Sequence, residues 1–151
     1  MEPNMIRISH LSFLFALLLT VAVLGCAKEE DQETAHFEKA QKFMTEKNYK
    51  EAVLELKNVI QINPENDAAR LVLGDAYMKL GEFPMAVESY NAAVKNNPDN
   101  MDAYIKMGQV LLVAESTLNA RKAAKIILEK RPGDIDGMLL LAGVQVQEKN
   151  L

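Results

Sequence analysis

Few residues in this chain carry the chemistry to act on a ligand. It holds one cysteine, Cys26, and two histidines, His10 and His36, among 151 residues. A lone thiol excludes an intramolecular disulfide and leaves two uses, a buried apolar side chain or a nucleophile that takes a modification. Position favours modification, because Cys26 stands where the apolar run Leu11–Leu24 meets the acidic stretch Glu29-Glu30-Asp31. That acidic stretch reads as solvated charge, and His36 as a half-buried packing residue. HExxH for zinc, a Walker loop for phosphate, GxSxG for an activated serine and CxxC for redox work are all missing from the sequence. The chain is therefore expected to be no enzyme and to need no metal, cofactor or small-molecule substrate. A formal net charge of −4 and a pI near 5.3 argue against nucleic acid as a ligand. What remains is binding, and binding needs elements that present a surface.

Those elements announce themselves by spacing. Pro64, Pro98 and Pro132 stand at equal intervals, and Ala52, Ala86 and Ala120 keep the same step. Each proline ends a helix, since it lacks an amide donor and restricts the residue before it. Asn66, Asn100 and Asp134 follow two residues later as N-caps for the next helix. Gly81 can supply the left-handed residue that closes one helix, and Pro84 falls in the first turn of the next. The composition is rich in Ala, Leu, Val, Lys and Glu, and no alternating strand pattern appears, so the fold class is all-α. In register the units are Glu33–Asn66, Asp67–Asn100, Met101–Asp134 and a partial Ile135–Leu151.

A gap-free period of about 34 residues resembles the tetratricopeptide repeat, a helix-turn-helix unit that stacks on its neighbours. The second unit carries the resemblance most fully, through Leu73-Gly74, Tyr77, Gly81, Ala86, Tyr90, Ala93 and Pro98. It implies an α-solenoid of antiparallel helix pairs, with three full repeats and the first helix of a fourth. Gly74 and Ala86 are small where paired helices should cross, with Tyr77 and Tyr90 filling the space beside them. Ala40 with Ala52, and Gly108 with Ala120, repeat that arrangement. Two departures stand out. The third unit has Glu115-Ser116-Thr117 where the family has a glycine turn, and Ala124 replaces the large residue seen at Leu56 and Tyr90. Its second helix is accordingly expected to pack more loosely. The helix of the fourth unit, roughly Asp136 to Lys149, is apolar around much of its circumference, whereas the last repeat of a solenoid needs a polar outer face. The chain reads as the opening of a longer array.

The leader is a separate matter. As a helix, Leu11–Leu24 would span about 21 Å, short of a hydrocarbon core of about 30 Å, which favours a cleaved signal over a membrane span. Val23-Leu24-Gly25-Cys26 resembles the bacterial lipobox. The resemblance implies a lipoprotein signal peptide over 1–25, a lipidated Cys26 and an acidic tether over 26–33. Ala27 in place of Asp implies delivery to the inner leaflet of the outer membrane, facing the periplasm.

The tetratricopeptide resemblance also implies where a partner sits, on a concave face lined by the first helix of each unit. The residues assigned to it are Phe37, Gln41 and Met44, then Leu71, Asp75, Met78 and Lys79, then Asp102, Ile105, Gln109 and Leu112. The implied partner is an extended or helical protein segment. Some relatives clamp a terminal carboxylate with Lys, Arg and Asn at the positions held here by Leu71, Asp75, Ile105 and Gln109; none of these is basic. The stretch AVLELKNVIQINPENDAARLVLGDAYMKLGE is similar to the first repeats of lipoproteins of exosortase and exopolysaccharide systems, implying surface-polymer export or protein sorting. A pilus or outer-membrane assembly lipoprotein, and a spacer with no ligand, fit the same residues.

Overall fold

The computed structural model describes residues 30–149, all helices and their connecting turns. Cys26 and the leader over 1–25 lie outside the described residues, as do Asn150 and Leu151. The first helix, α1, covers 30–45. It is followed by α2 (Tyr49–Ile62), α3 (Asp67–Leu80), α4 (Phe83–Asn96), α5 (Met101–Val113), α6 (Thr117–Lys130) and α7 (Ile135–Lys149). From α2 onward each helix packs on its neighbours in the chain, and α5 also reaches α7, the pattern of stacked pairs. Among the described residues no helix is long and apolar enough to cross a membrane.

Residues 30–33, assigned above to the tether, are helical. Glu33 explains why, because its Oε1 accepts from the side-chain amides of Asn63 at 3.0 Å and Asn66 at 2.6 Å. One repeat later, Asp67 does the same for Asn97 at 3.0 Å and Asn100 at 2.8 Å. Asn66 and Asn100 are also the expected N-caps, their Oδ1 atoms accepting from the amides of Ala69 at 2.7 Å and Ala103 at 3.0 Å. Asp134 caps α7 through Gly137 N at 3.0 Å. Each cap therefore serves its own helix with its oxygen and, in two units, the preceding unit with its nitrogen.

The helix crossings work by size exclusion. The ring of Tyr90 occupies the space where a Cβ on Gly74 would stand. Ala40, at the same position one unit earlier, is fully buried in the same core as Leu56. In the third unit the expected looser packing does not occur. Ala124 is fully buried, and the space beside Gly108 is filled by Leu140 reaching back from α7. Overpacking such a crossing costs about 1–3 kcal/mol, which keeps these positions small.

The turns between paired helices share one backbone feature. Lys47, Gly81 and Glu115 hold the same place in successive units, and all adopt left-handed φ values, of 62°, 76° and 56°. Gly81 does so without a steric penalty, whereas the Cβ of a lysine or glutamate meets the backbone there. Replacing Lys47 or Glu115 by glycine should raise stability by about 0.5–1 kcal/mol each, and Gly81→Ala should lower it by about 1 kcal/mol. Urea unfolding followed by circular dichroism reads all three, and a destabilised Glu115→Gly would contradict the steric account.

Candidate partner-binding face

The residues assigned to the face fall into rows because the period places them there. Phe37, Leu71 and Ile105 hold one position on α1, α3 and α5, and Met44, Met78 and Leu112 hold another. All six are half-buried and pack partly against the core, Phe37, Met44, Leu71 and Met78 on its first cluster, Ile105 and Leu112 on its second. They thus offer one flank to solvent and anchor their helices with the other. Gln41 and Gln109 are exposed between these rows, and Lys79 and Asp102 are exposed on either side of them. The surface alternates apolar ridges with amides and charges of both signs, suited to a segment with side chains pointing two ways.

Two assigned residues are already engaged within the chain. Asp75 accepts from the Tyr90 hydroxyl at 2.7 Å and is held by Lys106 Nζ at 2.8 Å and 3.0 Å to its two oxygens. Leu112 lies in the seam between α5 and α7, filling the space a Cβ on Gly143 would need, and its carbonyl accepts from Gln147 at 2.9 Å. Of the full set, the structure brings the apolar rows and exposed amides onto one run of helices. It uses Asp75 and Leu112 to hold the units together.

The Asp75 network escapes a reading by sequence alone, because it joins α3, α4 and α5 through residues with no shared spacing. The only hint is an acid and a lysine on successive first helices, a little less than one period apart. His36 behaves as expected: it is half-buried, with Nδ1 2.5 Å from a carboxylate oxygen of Glu55 on α2. His36 borders an open depression of about 430 Å³ that Gln32, Asn58, Gln61 and Ile62 also line.

Burial, then the hydrogen bond to Asp75 and the charge of that carboxylate, push the Tyr90 hydroxyl far above its ordinary value of 10.0. The neutral phenol is therefore favoured in the folded chain. An unfolded chain ionises its tyrosines near pH 10, so this contribution is intact below about pH 10 and is lost as pH rises beyond it. Tyr90 should stay protonated until alkaline unfolding. Tyr90→Phe should remove one residue's worth of the tyrosinate absorbance released at that transition, and should lower stability at neutral pH by about 1 kcal/mol. Unchanged absorbance in the variant would contradict the network.

Comparison with known proteins agrees with this architecture. The chain is 28% identical over 83 residues to "Protein CTR9 homolog" of Arabidopsis thaliana, covering 54% of this chain and 8% of that protein. It is 31% identical over 104 residues to the "Peroxisomal targeting signal receptor" of Pichia angusta, covering 69% of this chain and 18% of that protein. The chain thus spans less than a fifth of either relative's length. Among solved structures, the first TPR of Spaghetti (RPAP3) bound to the HSP90 peptide SRMEEVD superposes with a TM-score of 0.73 at 22% identity. That superposition covers 79% of this chain and 94% of the other. Residues 29–151 match the family described as the cytochrome c-type biogenesis protein H TPR domain. With its stacked helix pairs and in-register caps, the chain belongs to that tetratricopeptide-repeat family.

Proposed function

We propose that this chain is a scaffold that binds an extended or helical protein segment along α1, α3 and α5. The observation that carries the reading is the double apolar row, Phe37, Leu71, Ile105 and Met44, Met78, Leu112, with exposed amides between its members and exposed charges beside them. Flexible thioethers at Met44 and Met78 adapt to varied apolar side chains. A structure of the same fold holding a peptide supports the reading. The specificity differs from that of a carboxylate clamp, because Leu71, Asp75, Ile105 and Gln109 are not basic and Lys106 is committed to Asp75.

In the same proposal the scaffold is tethered by a lipid on Cys26 and faces the periplasm from the outer membrane, in service of surface-polymer export or sorting. More than one acyl chain gives stable anchoring where a single chain is marginal. The family match favours a second setting, in which the same face takes a segment of a c-type cytochrome during its biogenesis.

Two experiments test these points. Partner recovery with the anchored protein should fall at least tenfold in Leu71→Glu and Met78→Glu, and in the exposed substitutions Lys79→Glu and Gln109→Glu by a smaller factor. Equal recovery from all four folded variants would leave a spacer as the better description. The identity of the recovered protein separates the two settings. Metabolic labelling with an alkyne fatty acid should mark the chain and fail to mark Cys26→Ser; label retained by that variant would refute the anchor.

A further inference from the structure

The outward sides of α2, α4 and α6 carry a charge opposite in sign to that of the chain. On α2, Lys50, Leu54 and Lys57 are spaced four and three apart, which puts them on one stripe, and all are exposed. Glu88 and Lys95 hold exposed positions of the same stripe on α4, and Leu118, Lys122, Lys125 and Glu129 follow in register on α6. Five lysines thus face outward against two glutamates, with Glu51 beside them, although the formal net charge of the chain is −4. Among the described residues none of the five makes an ion pair. Between them Leu54 and Leu118 stand 62% and 65% exposed. Long cationic side chains around single leucines suit a surface that is anionic outside and apolar just beneath. A nucleic-acid backbone would engage the lysines and leave both leucines in water.

Chain length decides which surface a membrane would meet. Cys26 stands four residues ahead of Glu30, where α1 begins, so a lipid on its thiol lies within about 14 Å of that helix. The turns beside Lys47, Gly81 and Glu115 are a full length of α1 away, about 22 Å, and out of that reach. Three surfaces lie nearer. The proline-turn edge carries Glu33, Asp67, Asp99, Asp102 and Asp136, which anionic headgroups repel. On the free flank of α1, Asp31 and Glu38 offset Lys39 and Lys42. The third is the outward stripe, whose α2 portion ends beside the start of α1, where Glu33 holds Asn63.

We propose that the outward stripe of α2, α4 and α6 rests on an anionic phospholipid surface. The lysines sit at the level of the headgroups, and Leu54 and Leu118 dip beneath it. The inference rests on the proposed lipid at Cys26, which holds the first unit close to the bilayer. Contact on this side turns α1, α3 and α5 away from the membrane and keeps their apolar rows open to a protein segment. The attraction is electrostatic and is screened by salt, whereas the anchor itself is not.

The anchored protein in vesicles of mixed phosphatidylcholine and phosphatidylglycerol tests the contact. Leu118→Cys carries an environment-sensitive fluorophore, and Gln109→Cys on the opposite side carries the same label for comparison. Quenching by a lipid spin-labelled at headgroup depth should be about fivefold or more stronger at Leu118 than at Gln109. It should fall to the Gln109 level when Lys122→Glu and Lys125→Glu are added, in vesicles of phosphatidylcholine alone, and at high salt. Circular dichroism checks that these exposed substitutions leave the fold intact. A chain that does not float with the vesicles lacks the anchor, and the inference falls with it. Chains that float but show equal quenching at the two positions, or quenching indifferent to the lysines, overturn the stripe while the anchor stands. So does a benzophenone on Leu118→Cys that crosslinks in cells to a polypeptide instead of to lipid.

Discussion

Close approach of paired helices at one small residue is the constraint on which the array depends. A helix pair can bury its apolar stripes only if the two backbones come near enough for large side chains to reach across. Ala40, Gly74 and Gly108 give that room, and at the two glycines different helices fill it. Tyr90 fills it from the second helix of its own unit, whereas Leu140 fills it from the first helix of the next. The position is invariant in size and flexible in supplier. This is why the third unit keeps a sealed core although Ala124 has lost the bulk seen at Leu56 and Tyr90.

Sealed crossings alone would leave neighbouring units free to slide, and polar groups remove that freedom. Glu33 and Asp67 each accept from two asparagines of the turn that opens the next unit. Asn96 and Lys130, one repeat apart, donate to the carbonyls of Pro64 and Pro98 in the preceding turns, at 2.9 Å and 2.7 Å. These contacts fix how far each unit is rotated on the last, and so fix the spacing of the apolar rows on α1, α3 and α5. Asp75, bonded to Tyr90 and Lys106, ties three helices beneath those rows. The candidate face is shaped by groups that do not belong to its solvent-facing surface.

How much of this was legible in the sequence follows from what a period can encode. Helix ends, caps and the left-handed turn at Gly81 depend on local residue types, and Asn66, Asn100, Asp134 and Pro84 placed them within a residue or so. The apolar rows were legible for the same reason, since equivalent positions share equivalent surroundings. Interactions between units were not. Asp75 looks like a solvent-facing acid until Lys106 and Tyr90 are brought to it from other helices. Leu112 looks like a groove residue until α7 packs over it beside Gly143. Lys47 and Glu115 gave no sign of left-handed backbone, because nothing in a lysine or glutamate advertises it; only their register with Gly81 does.

The staple between units is not uniform along the chain. At the position of Glu33 and Asp67 the third unit has Met101, only 3% exposed, and at the position of Asn63 and Asn97 it has Arg131. Between the third unit and α7 the paired amides give way to the buried Met101 side chain, and polar contacts are made elsewhere, by Gln147 donating to the Leu112 carbonyl and by the Arg121–Glu148 ion pair. Hydrogen-bonded joints hold one geometry, whereas apolar contacts are non-directional and tolerate small displacements at little cost. Directional contacts therefore hold the first two joints at the turns beside Glu33 and Asp67, and the third joint near the C-terminal ends of α5 and α7. The anchor thus moves along the helices at the last joint, from the N-terminal ends of α1 and α3 to the C-terminal ends of α5 and α7, although the 34-residue step is unchanged.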